Sequence, residues 1–423
     1  MPMKKMIYDR LTGRETSLAV IGLGYVGVPV ALRFARCFDV VGYDMDARRI
    51  EKLREKYGAG CGSIRFTSLE EELSRAAFYI VTVLTPVDER KNPDLTCLVE
   101  ATRTVARYLK RGDYVVYEST VYPGCTEEVC VPLLEKGSGL KLGADFKVGY
   151  SPERINPNDS EHTFSNTAKI VSANDGQALD EVVRVYAEVV SADLCRASGI
   201  RVAEAAKMTE NVQRSVNIAL MNELQRLFSR MGIDMGEVID MASSKWNFVK
   251  YRPGLGGGHC IPVDPLYLVS AASKLGVEMP VTSSGCAVND GMAAYVVRSL
   301  LGAMGSDGRG ARALLMGVTY KENIDDIRNS RIAEMVGLLE REGMSVDVTD
   351  PHADPDKVYA MYGIRPVPAL RPPYDLIVVA VAHDEYRGLD DAYFRSISRG
   401  AALLGDIRGL YKGRIKSLGY WSL

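Results

Sequence analysis

The sequence lacks the features that would tie the protein to a membrane, a disulfide framework or a nucleic acid. It has no run of about 20 apolar residues, and residues 1–14 lack the apolar core of a signal peptide, so we expect a cytoplasmic protein. The 52 Lys and Arg residues nearly balance the 54 Asp and Glu residues, and a formal charge of -2 does not favour nucleic acid or an anionic membrane as a partner. The eight cysteines are scattered without a CxxC pair, a pattern that suits neither disulfides nor a zinc site.

Hydrophobic patterning predicts three domains in this chain of 423 residues, which is too long for one typical core. In residues 1–195, short apolar runs alternate with helical patterns, as in a mostly parallel sheet; the runs are Ser17 to Ile21, Val40 to Asp44, Phe78 to Leu84, Tyr114 to Ser119 and Lys147 to Tyr150. Residues 196–304 are predicted to be helical, with one long helix from Arg201 to about Met231 that contains no Pro or Gly. In residues 305–423, strands recur at Ala313 to Val318, Ser345 to Thr349, Leu376 to Val381 and Ala401 to Leu404. We therefore predict an α/β protein in which a central helical domain joins two Rossmann-like, doubly wound parallel-sheet domains.

The segment Gly22-Leu23-Gly24-Tyr25-Val26-Gly27 has the spacing of a dinucleotide-binding turn. Its first glycine would make the tight turn, its second would admit a pyrophosphate, and its third would let helix and strand pack closely. The segment follows a predicted strand and opens a helix, and Asp44 stands at the end of the next strand, where an acid can bind the adenosine ribose. An acid there favours NAD over NADP, although Arg48 and Arg49 lie close enough in sequence to meet a 2'-phosphate instead.

Polar loops follow three strands of the first domain and should gather at one edge of its sheet, since open α/β sheets bind ligands at the carboxyl ends of their strands. These loops are Val83-Leu84-Thr85-Pro86, Tyr117-Glu118-Ser119-Thr120-Val121-Tyr122-Pro123-Gly124 and Tyr150-Ser151-Pro152-Glu153-Arg154-Ile155-Asn156-Pro157. Lys207 and Asn211 stand four residues apart, so on a helix both would project from one face. The segment Gly256-Gly257-Gly258-His259-Cys260-Ile261-Pro262-Val263-Asp264-Pro265 offers a thiol nucleophile on a flexible loop, with a carboxylate four residues on.

These segments, in this order, closely resemble those of the nucleotide-sugar 6-dehydrogenases, the family of UDP-glucose, UDP-N-acetylhexosamine and GDP-mannose dehydrogenases. The resemblance spans residues 18 to about 410 and includes the late segment Tyr320-Lys321-Glu322-Asn323-Ile324-Asp325-Asp326-Ile327-Arg328-Asn329-Ser330. It implies an NAD-dependent oxidation of a sugar's C6 alcohol to a carboxylate in two steps, through an aldehyde that never leaves the site. Cys260 would hold the aldehyde as a thiohemiacetal, and water would hydrolyse the thioester that the second oxidation forms.

The resemblance also implies roles for the other residues. Lys207 and Asn211 would stabilise an oxyanion at C6, and Lys207 would help to take the alcohol proton. Glu153, Thr120 and Asp264 match positions that position and activate water, and Glu153 is our first choice as general base. The residues expected to bind NAD are Gly22, Gly24, Tyr25, Val26, Gly27, Asp44, Thr85, Pro86, Thr120, Glu153 and Arg328.

Contacts with a UDP-sugar substrate are likewise implied by the family pattern. They fall on Arg154, Lys207, Asn211, Tyr251, Arg252, Gly256, Gly257, Lys321 and Arg408. Arg252 would reach the sugar bound by a neighbouring subunit, so the resemblance implies a homodimer. Residues 1–195 would bind NAD, residues 196–304 would carry the dimer contacts with the catalytic lysine and cysteine, and residues 305–423 would bind the UDP-sugar.

The stretch Asn156-Pro157-Asn158-Asp159-Ser160-Glu161-His162-Thr163-Phe164 bears on the identity of the sugar. It resembles the N-acetylhexosamine branch, whose products serve surface polysaccharides, and lacks the FLREG-type segment of UDP-glucose enzymes. The gluco or galacto epimer stays open at this point, with UDP-glucose and GDP-mannose as alternatives. Two rival functions fit less well, because a two-electron dehydrogenase of 3-hydroxy acids has no use for Cys260, and a nucleotide-sugar-binding protein needs neither Cys260 nor Lys207.

No metal is predicted. His383-Asp384-Glu385 has a single histidine with neighbouring acids, which is not the spacing of a zinc site. His259 is predicted to be structural, because adjacent residues on an extended loop project in opposite directions and His259 could not easily share a proton with Cys260.

Overall fold

The computed structural model describes residues 5–58, 62–154 and 161–423, which form two β-sheets separated in sequence by helices. The strands are β1 (Ser17–Ile21), β2 (Val40–Tyr43), β3 (Ile64–Thr67), β4 (Ala76–Val81), β5 (Tyr114–Tyr117), β6 (Lys147–Tyr150), β7 (Lys169–Ala173), β8 (Leu194–Arg196), β9 (Arg312–Met316), β10 (Ser345–Thr349), β11 (Tyr374–Val379), β12 (Ser398–Asp406) and β13 (Gly419–Ser422). The helices are α1 (Ile7–Thr12), α2 (Gly27–Phe34), α3 (Ala47–Tyr57), α4 (Thr96–Tyr108), α5 (Val131–Ser138), α6 (Gly176–Ala187), α7 (Ile200–Arg230), α8 (Met235–Ala242), α9 (Asp264–Lys274), α10 (Pro280–Asp290), α11 (Met292–Met304), α12 (Arg331–Arg341), α13 (Pro355–Tyr362), α14 (Asp384–Arg387) and α15 (Asp391–Ile397). In these ranges no helix combines the length and the apolarity needed to cross a bilayer.

The first sheet has the strand order β3-β2-β1-β4-β5-β6-β7-β8. Its first six strands run parallel in the 3-2-1-4-5-6 order of dinucleotide-binding sheets, and β7 then pairs antiparallel with β6. All six residues of β4 are buried, as in a strand covered on both faces. The order reverses between β1 and β4, which is where such sheets bind their ligands.

The second sheet is parallel throughout, in the order β10-β9-β11-β12-β13. This is the 2-1-3-4-5 order of the other common doubly wound fold. Alternate strand residues belong to two separate cores: Leu315, Val378 and Leu403 pack in one, and Leu314, Ile377 and Leu404 in the other. Because successive residues of a strand point to opposite faces, both faces of this sheet are covered, and the predicted fold class is confirmed.

In each sheet, an aspartate follows the strand that comes second in chain order. Asp44 follows β2 and accepts the Leu23 N–H at 2.8 Å, and Asp350 follows β10 and accepts the N–H groups of Val318 and Thr319 at 2.7 and 3.1 Å. The other oxygen of Asp350 accepts two further N–H groups, from His352 and Ala353. The two acids thus share a position in the fold but differ in how many hydrogen bonds they already accept.

Helix α7 is the predicted long helix, with 31 residues and a length of about 46 Å at 1.5 Å per residue. The described chain forms two compact units, whose boundary falls within α7. Unit 1 comprises Met1–Glu210 with Leu266–Val277, and unit 2 comprises Asn211–Pro265 with Glu278–Leu423. The division into domains at residues 195 and 304 stays a prediction.

Candidate active site

The turn between β1 and α2 fits a dinucleotide pyrophosphate. Gly22 has a φ of +91°, and a Cβ on Gly27 would lie 1.9 Å from the carbonyl oxygen of Gly22, so only glycine lets α2 begin this close to β1. A Cβ on Gly24 would meet no described atom within 4 Å, which leaves room above the turn. Tyr25 and Val26 complete the turn, and no described side chain caps the N-terminus of α2, where a phosphate would sit. The turn therefore has the close packing and the open space that a bound pyrophosphate would need.

Asp44 is buried and tied directly to this turn. Its Oδ2 accepts the Leu23 N–H and lies 3.1 Å from Nη1 of Arg49, while Oδ1 accepts the Asp46 N–H at 3.0 Å. Asp46 caps α3 by accepting the N–H groups of Arg48 and Arg49. Arg49 is thus paired with Asp44. The position that would meet the adenosine ribose therefore carries a carboxylate, as NAD-binding sites do.

Hydrogen bonds connect the loops that follow β4 and β5. The Thr85 hydroxyl donates to the Thr120 carbonyl at 2.7 Å. The Pro86 carbonyl accepts the Tyr267 hydroxyl at 2.8 Å. Three of the residues expected to bind NAD, Thr85, Pro86 and Thr120, therefore lie together at the carboxyl edge of the first sheet, beside the switch point.

A buried glutamate on α7 fixes the loop after β5. Glu204 accepts the Gly124 N–H at 2.6 Å through one oxygen and the Thr126 N–H at 2.9 Å through the other. Burial raises the pKa of Glu204, although these hydrogen bonds oppose the shift. Glu204 was not among the predicted site residues; its spacing of three from Lys207, which places both on one helix face, was the available signal.

Lys207, the candidate catalytic lysine, contacts the backbone of Glu153, the candidate base. The Lys207 ammonium donates to the Glu153 carbonyl oxygen at 2.6 Å, and both residues are buried. Arg154, next in the chain, pairs with Glu210 at 2.5 Å and donates to the Ala168 carbonyl at 2.9 Å. The strand-end turn that carries Glu153 is therefore anchored to α7 within unit 1.

Behind Glu153 lies a buried lysine that motif spacing did not indicate. Lys169 begins β7, and its Nζ lies 3.4 Å from Oε2 of Glu153 and 3.1 Å from Oε2 of Glu118. The Tyr186 hydroxyl donates to the other oxygen of Glu118. Burial raises the pKa of Glu118 to about 7. Burial opposes the charge on Lys169, but attraction to Glu118 and Glu153 outweighs it and raises the lysine pKa.

The cysteine loop lies in unit 2 and ends where α9 begins. Cys260 is half-buried, and its carbonyl accepts the Asp264 N–H at 2.9 Å. The Asn211 side-chain amide donates to the Asp264 carboxylate, and both groups are buried. Three predicted catalytic residues, Cys260, Asn211 and Asp264, are therefore brought together in this unit.

The glycines before Cys260 pack against the segment 320–329. A Cβ on Gly257 would lie 2.9 Å from the Asn329 carbonyl oxygen, and one on Gly258 would lie 2.7 Å from the Tyr320 ring. The Gly258 N–H donates to the Arg328 carbonyl at 3.1 Å, and Arg328 Nη2 lies 3.3 Å from Nδ1 of His259. Arg328 also pairs with Asp326 at 2.6 Å. Arg328, predicted to bind NAD, and His259, predicted to be structural, thus form one cluster beside the loop.

The remaining candidate substrate residues lie at separate places in unit 2. Tyr251 packs beside the cluster of Met221, Met235 and Ile239, whereas Arg252 is half-exposed and pairs with Asp240 at 3.3 Å. Gly256 precedes the packed glycines, and Lys321 accepts the Thr319 hydroxyl through its carbonyl. Arg408 follows β12, with Nη1 3.7 Å from the place that a Cβ on Gly254 would occupy. Residues 155–160 of the stretch expected to mark the N-acetylhexosamine branch lie outside the described residues.

A group of potential metal ligands occurs in unit 2, where the ligand atoms of His352, His383 and Glu385 lie within 4.8 Å of one another. Both ring nitrogens of His383 already have partners. Nδ1 accepts the Asn323 N–H at 3.0 Å, and Nε2 lies 3.2 Å from the Asp350 carboxylate. We therefore interpret His383 as a residue that supports the second sheet.

Comparison with known proteins gives the same family for all three parts of the chain. Residues 16–190 match the NAD binding domain of the UDP-glucose/GDP-mannose dehydrogenase family, residues 201–291 its central domain and residues 314–413 its UDP binding domain. UDP-N-acetyl-D-glucosamine 6-dehydrogenase of Pseudomonas aeruginosa is 44% identical over 411 residues, covering 94% of this chain and 97% of the relative. The enzyme of that name from Salmonella typhi is 43% identical over 408 residues, covering 93% and 96%.

Comparison with solved structures points to the same family. The UDP-N-acetyl-D-mannosamine dehydrogenase of Pyrococcus horikoshii superposes with a TM-score of 0.87 at 29% identity, covering 96% of this chain and 98% of that one. A UDP-glucose dehydrogenase from Pyrobaculum islandicum superposes with a TM-score of 0.82 at 29% identity, covering 99% and 98%. The resemblance seen in the motifs is thus confirmed over nearly the whole length. The chain belongs to the UDP-glucose/GDP-mannose dehydrogenase family and is an NAD-dependent nucleotide-sugar 6-dehydrogenase.

Proposed function

We propose that the protein oxidises the C6 alcohol of a UDP-N-acetylhexosamine to a carboxylate, with two NAD reduced per sugar. Support comes from the relatives named UDP-N-acetyl-D-glucosamine 6-dehydrogenase, which align with 94% and 93% of the chain. UDP-N-acetylglucosamine is therefore the first candidate substrate and UDP-N-acetylgalactosamine the second, with UDP-glucose and GDP-mannose as alternatives. The product would be a precursor of a surface polysaccharide.

The first oxidation needs a group that takes the alcohol proton and groups that stabilise an oxyanion at C6. Lys207 and Asn211 suit these roles because residues four apart on α7 project from one face. The hydrogen bond from Lys207 to the Glu153 carbonyl holds the side-chain nitrogen in place. In this proposal the nitrogen takes the alcohol proton as the neutral amine, and the ammonium that results stabilises the oxyanion. The glycine turn and Asp44 would hold NAD, which would supply the hydride acceptor for this oxidation and, after replacement by a second NAD, for the next one.

Cys260 is the proposed nucleophile for the aldehyde. Its sulfur bonds to C6 to give a thiohemiacetal, and oxidation of this adduct gives a thioester. Water then attacks the thioester carbon, Glu153 takes the water proton, and the Cys260 thiolate leaves. The observation that carries the assignment is the anchoring of the cysteine turn by Asp264, whose N–H binds the Cys260 carbonyl and whose carboxylate binds Asn211. Thr120 and Asp264 are the proposed residues that position the water.

The ligand contacts are proposed residue by residue. The UDP-sugar is assigned to the UDP binding domain of residues 314–413 and to the loop before Cys260. NAD is assigned to the glycine turn, Asp44 and the connected loops after β4 and β5, together with Glu153 and Arg328. The proposed substrate contacts are Arg154, Lys207, Asn211, Tyr251, Arg252, Gly256, Gly257, Lys321 and Arg408.

We further propose a homodimer in which Arg252 reaches the site of the neighbouring subunit. Support comes from exposed apolar residues: Leu220 and Leu227, two turns apart on α7, are 47% and 52% exposed, and Met231, directly after the helix, is 59% exposed. Co-expressing a Cys260→Ser chain with an Arg252→Ala chain tests this arrangement. A mixed dimer should regain one working site if Arg252 acts across the interface, and should stay inactive if Arg252 serves its own chain.

The yield of NADH from a limiting amount of sugar tests the reaction. We expect two NADH per UDP-N-acetylglucosamine, with lower kcat/KM for UDP-N-acetylgalactosamine, UDP-glucose and GDP-mannose. A yield of one NADH would exclude the covalent step, and a protein that binds the sugar without producing NADH would be a binding protein.

Two cysteine variants test the nucleophile. Cys260→Ser should abolish conversion to the acid, because a serine hydroxyl is a far weaker nucleophile than a thiolate near neutral pH. Cys286→Ser is the matched control, since Cys286 is a half-buried thiol in the same unit that has no proposed role, and it should keep the full yield. Unchanged acid production by Cys260→Ser would remove this cysteine from the mechanism.

A further inference from the structure

Unit 1 contains a buried group of charges of which the proposed mechanism uses only Glu153. Lys169 and Glu118 are 3% and 2% exposed. The lysine lies between the two carboxylates and also donates to the Pro152 carbonyl at 3.3 Å. The ring of Tyr186 lies 5.5 Å from its ammonium. An ammonium buried this deeply is unfavourable unless it is paired, so these contacts account for its presence there.

One ammonium therefore faces two carboxylates. Glu118 has Lys169 and the Tyr186 hydroxyl as partners, and Glu153 has Lys169 and the Arg154 N–H at 2.7 Å. Because burial raises the pKa of Glu118 to about 7, Glu118 is the carboxylate of this group that takes up a proton near neutral pH. The other charged groups that face Glu153 within the unit are Lys207 on α7 and the Arg154–Glu210 pair.

We propose that Lys169 is a positioning residue for Glu153, the carboxylate assigned above as general base, and that Glu118 sets how strongly Lys169 acts. The proposal rests on that assignment. Lys169 holds the Glu153 carboxylate in one orientation, in which it can take a proton from water. Glu118 competes for the same ammonium and weakens this hold. A purely structural link between β7 and the loop after β5 would change stability but not the rate of thioester hydrolysis in the folded enzyme.

The test measures thioester hydrolysis against pH in single-turnover experiments on the intact enzyme with NAD and UDP-N-acetylglucosamine. In Lys169→Met, we expect two NADH per site to form first, followed by hydrolysis slowed at least about tenfold. In Glu118→Gln, hydrolysis should be faster than in the wild type above about pH 7, where Glu118 is ionised and competes for Lys169, and unchanged well below that pH, where Glu118 is already neutral. Lys169→Arg should restore most of the rate. Lys147→Met is the control, since Lys147 begins β6 and pairs with Asp175 at 2.7 Å, and its hydrolysis should keep the wild-type rate at every pH.

Wild-type hydrolysis in Lys169→Met, together with an unchanged rate above about pH 7 in Glu118→Gln, would overturn the proposal. If Lys169→Met does not fold, Glu118→Gln decides alone, and an unchanged rate above about pH 7 then has the same meaning. Glu153→Gln distinguishes failure of the proposed base from failure of the proposed positioning residue. Hydrolysis at the wild-type rate in that variant would refute Glu153 as the base, whereas slow hydrolysis there, combined with wild-type behaviour of the Lys169 and Glu118 variants, would refute only the role of Lys169.

Discussion

Replacing Gly258 by alanine tests whether the cysteine loop is held against Tyr320. Gly258 has a φ of +84°, and a Cβ there would lie 2.7 Å from Cε2 and 2.9 Å from Cδ2 of the Tyr320 ring. Gly305 is the matched control in the same unit, because its φ is +66° but its Cβ would meet no described atom within 4 Å. Both variants place alanine in a left-handed backbone, and only Gly258→Ala adds an overlap.

The expected losses of stability follow from the left-handed backbone and from the overlap with the ring. A left-handed backbone costs alanine roughly 1–2 kcal/mol, and the stiffer unfolded chain offsets about 0.4–1 kcal/mol of it. Gly305→Ala should therefore lower the free energy of unfolding by about 1 kcal/mol and leave turnover unchanged. Overlap with a packed ring adds roughly 1–3 kcal/mol, so Gly258→Ala should lose about 2–4 kcal/mol. Because Cys260 is two residues away, turnover should also fall by about ten- to hundredfold.

Urea unfolding followed by tryptophan fluorescence measures the difference, since both tryptophans, Trp246 and Trp421, lie in the same unit as Gly258. Adding Tyr320→Ala to Gly258→Ala should remove the part of the loss that the ring causes. Equal losses in Gly258→Ala and Gly305→Ala would show that the loop is not held by this contact.

Three further predictions concern the carboxylates of Asp44, Glu204 and Glu118. Asp44→Ala should raise KM for NAD by about ten- to hundredfold with little change in kcat, because a hydrogen bond to a charged group contributes roughly 1.5–3 kcal/mol; initial rates at varied NAD check this. Glu204→Gln turns an amide N–H toward a backbone N–H and should lower stability by roughly 1–3 kcal/mol, visible as a lower Tm; an unchanged Tm would contradict the anchoring of the loop. Glu118 has its pKa raised by burial to about 7, against 4.5 ordinarily, so the native state holds an extra proton between these values. Stability should accordingly fall as pH rises from about 5 to 7, and less steeply in Glu118→Gln; equal slopes in urea titrations would refute this.

Most strands could be predicted from the sequence, either as short apolar runs or as alternating apolar and polar residues. β1, β6 and β10 begin and end where the patterns place them, and the other predicted strands are shifted by a few residues. β7 was not predicted, because Lys169 and Ser172 interrupt its apolar pattern. Both side chains are buried, Lys169 because carboxylates from distant loops pair with it. These paired carboxylates lie outside the short stretch of sequence from which a strand is predicted.

The candidate site, too, could be predicted only in part from the sequence. Motif spacing indicates its local parts, such as the glycine turn and the pairing of Cys260 with a carboxylate one helical turn on. The contacts that hold these parts in place join distant residues, as when Asn211 binds Asp264 across 53 positions and Glu204 binds the Gly124 N–H across 80. Such pairs exist only once the chain has folded, so residue type and spacing could not specify them.

The two acids that follow β2 and β10 differ in their capacity to bind the ribose of a cofactor. Asp350 accepts four backbone N–H groups and lies against His383, and these contacts outweigh burial and hold its pKa well below the ordinary range. With its acceptor positions used by the loops after β9 and β10, Asp350 has no capacity left for a ribose diol. Among the described residues, Asp44 is then the acid at such a position that can serve a dinucleotide. The proposed two-step oxidation would then exchange its spent cofactor midway, and the proposed covalent bond to Cys260 would keep the half-oxidised sugar from escaping during that exchange.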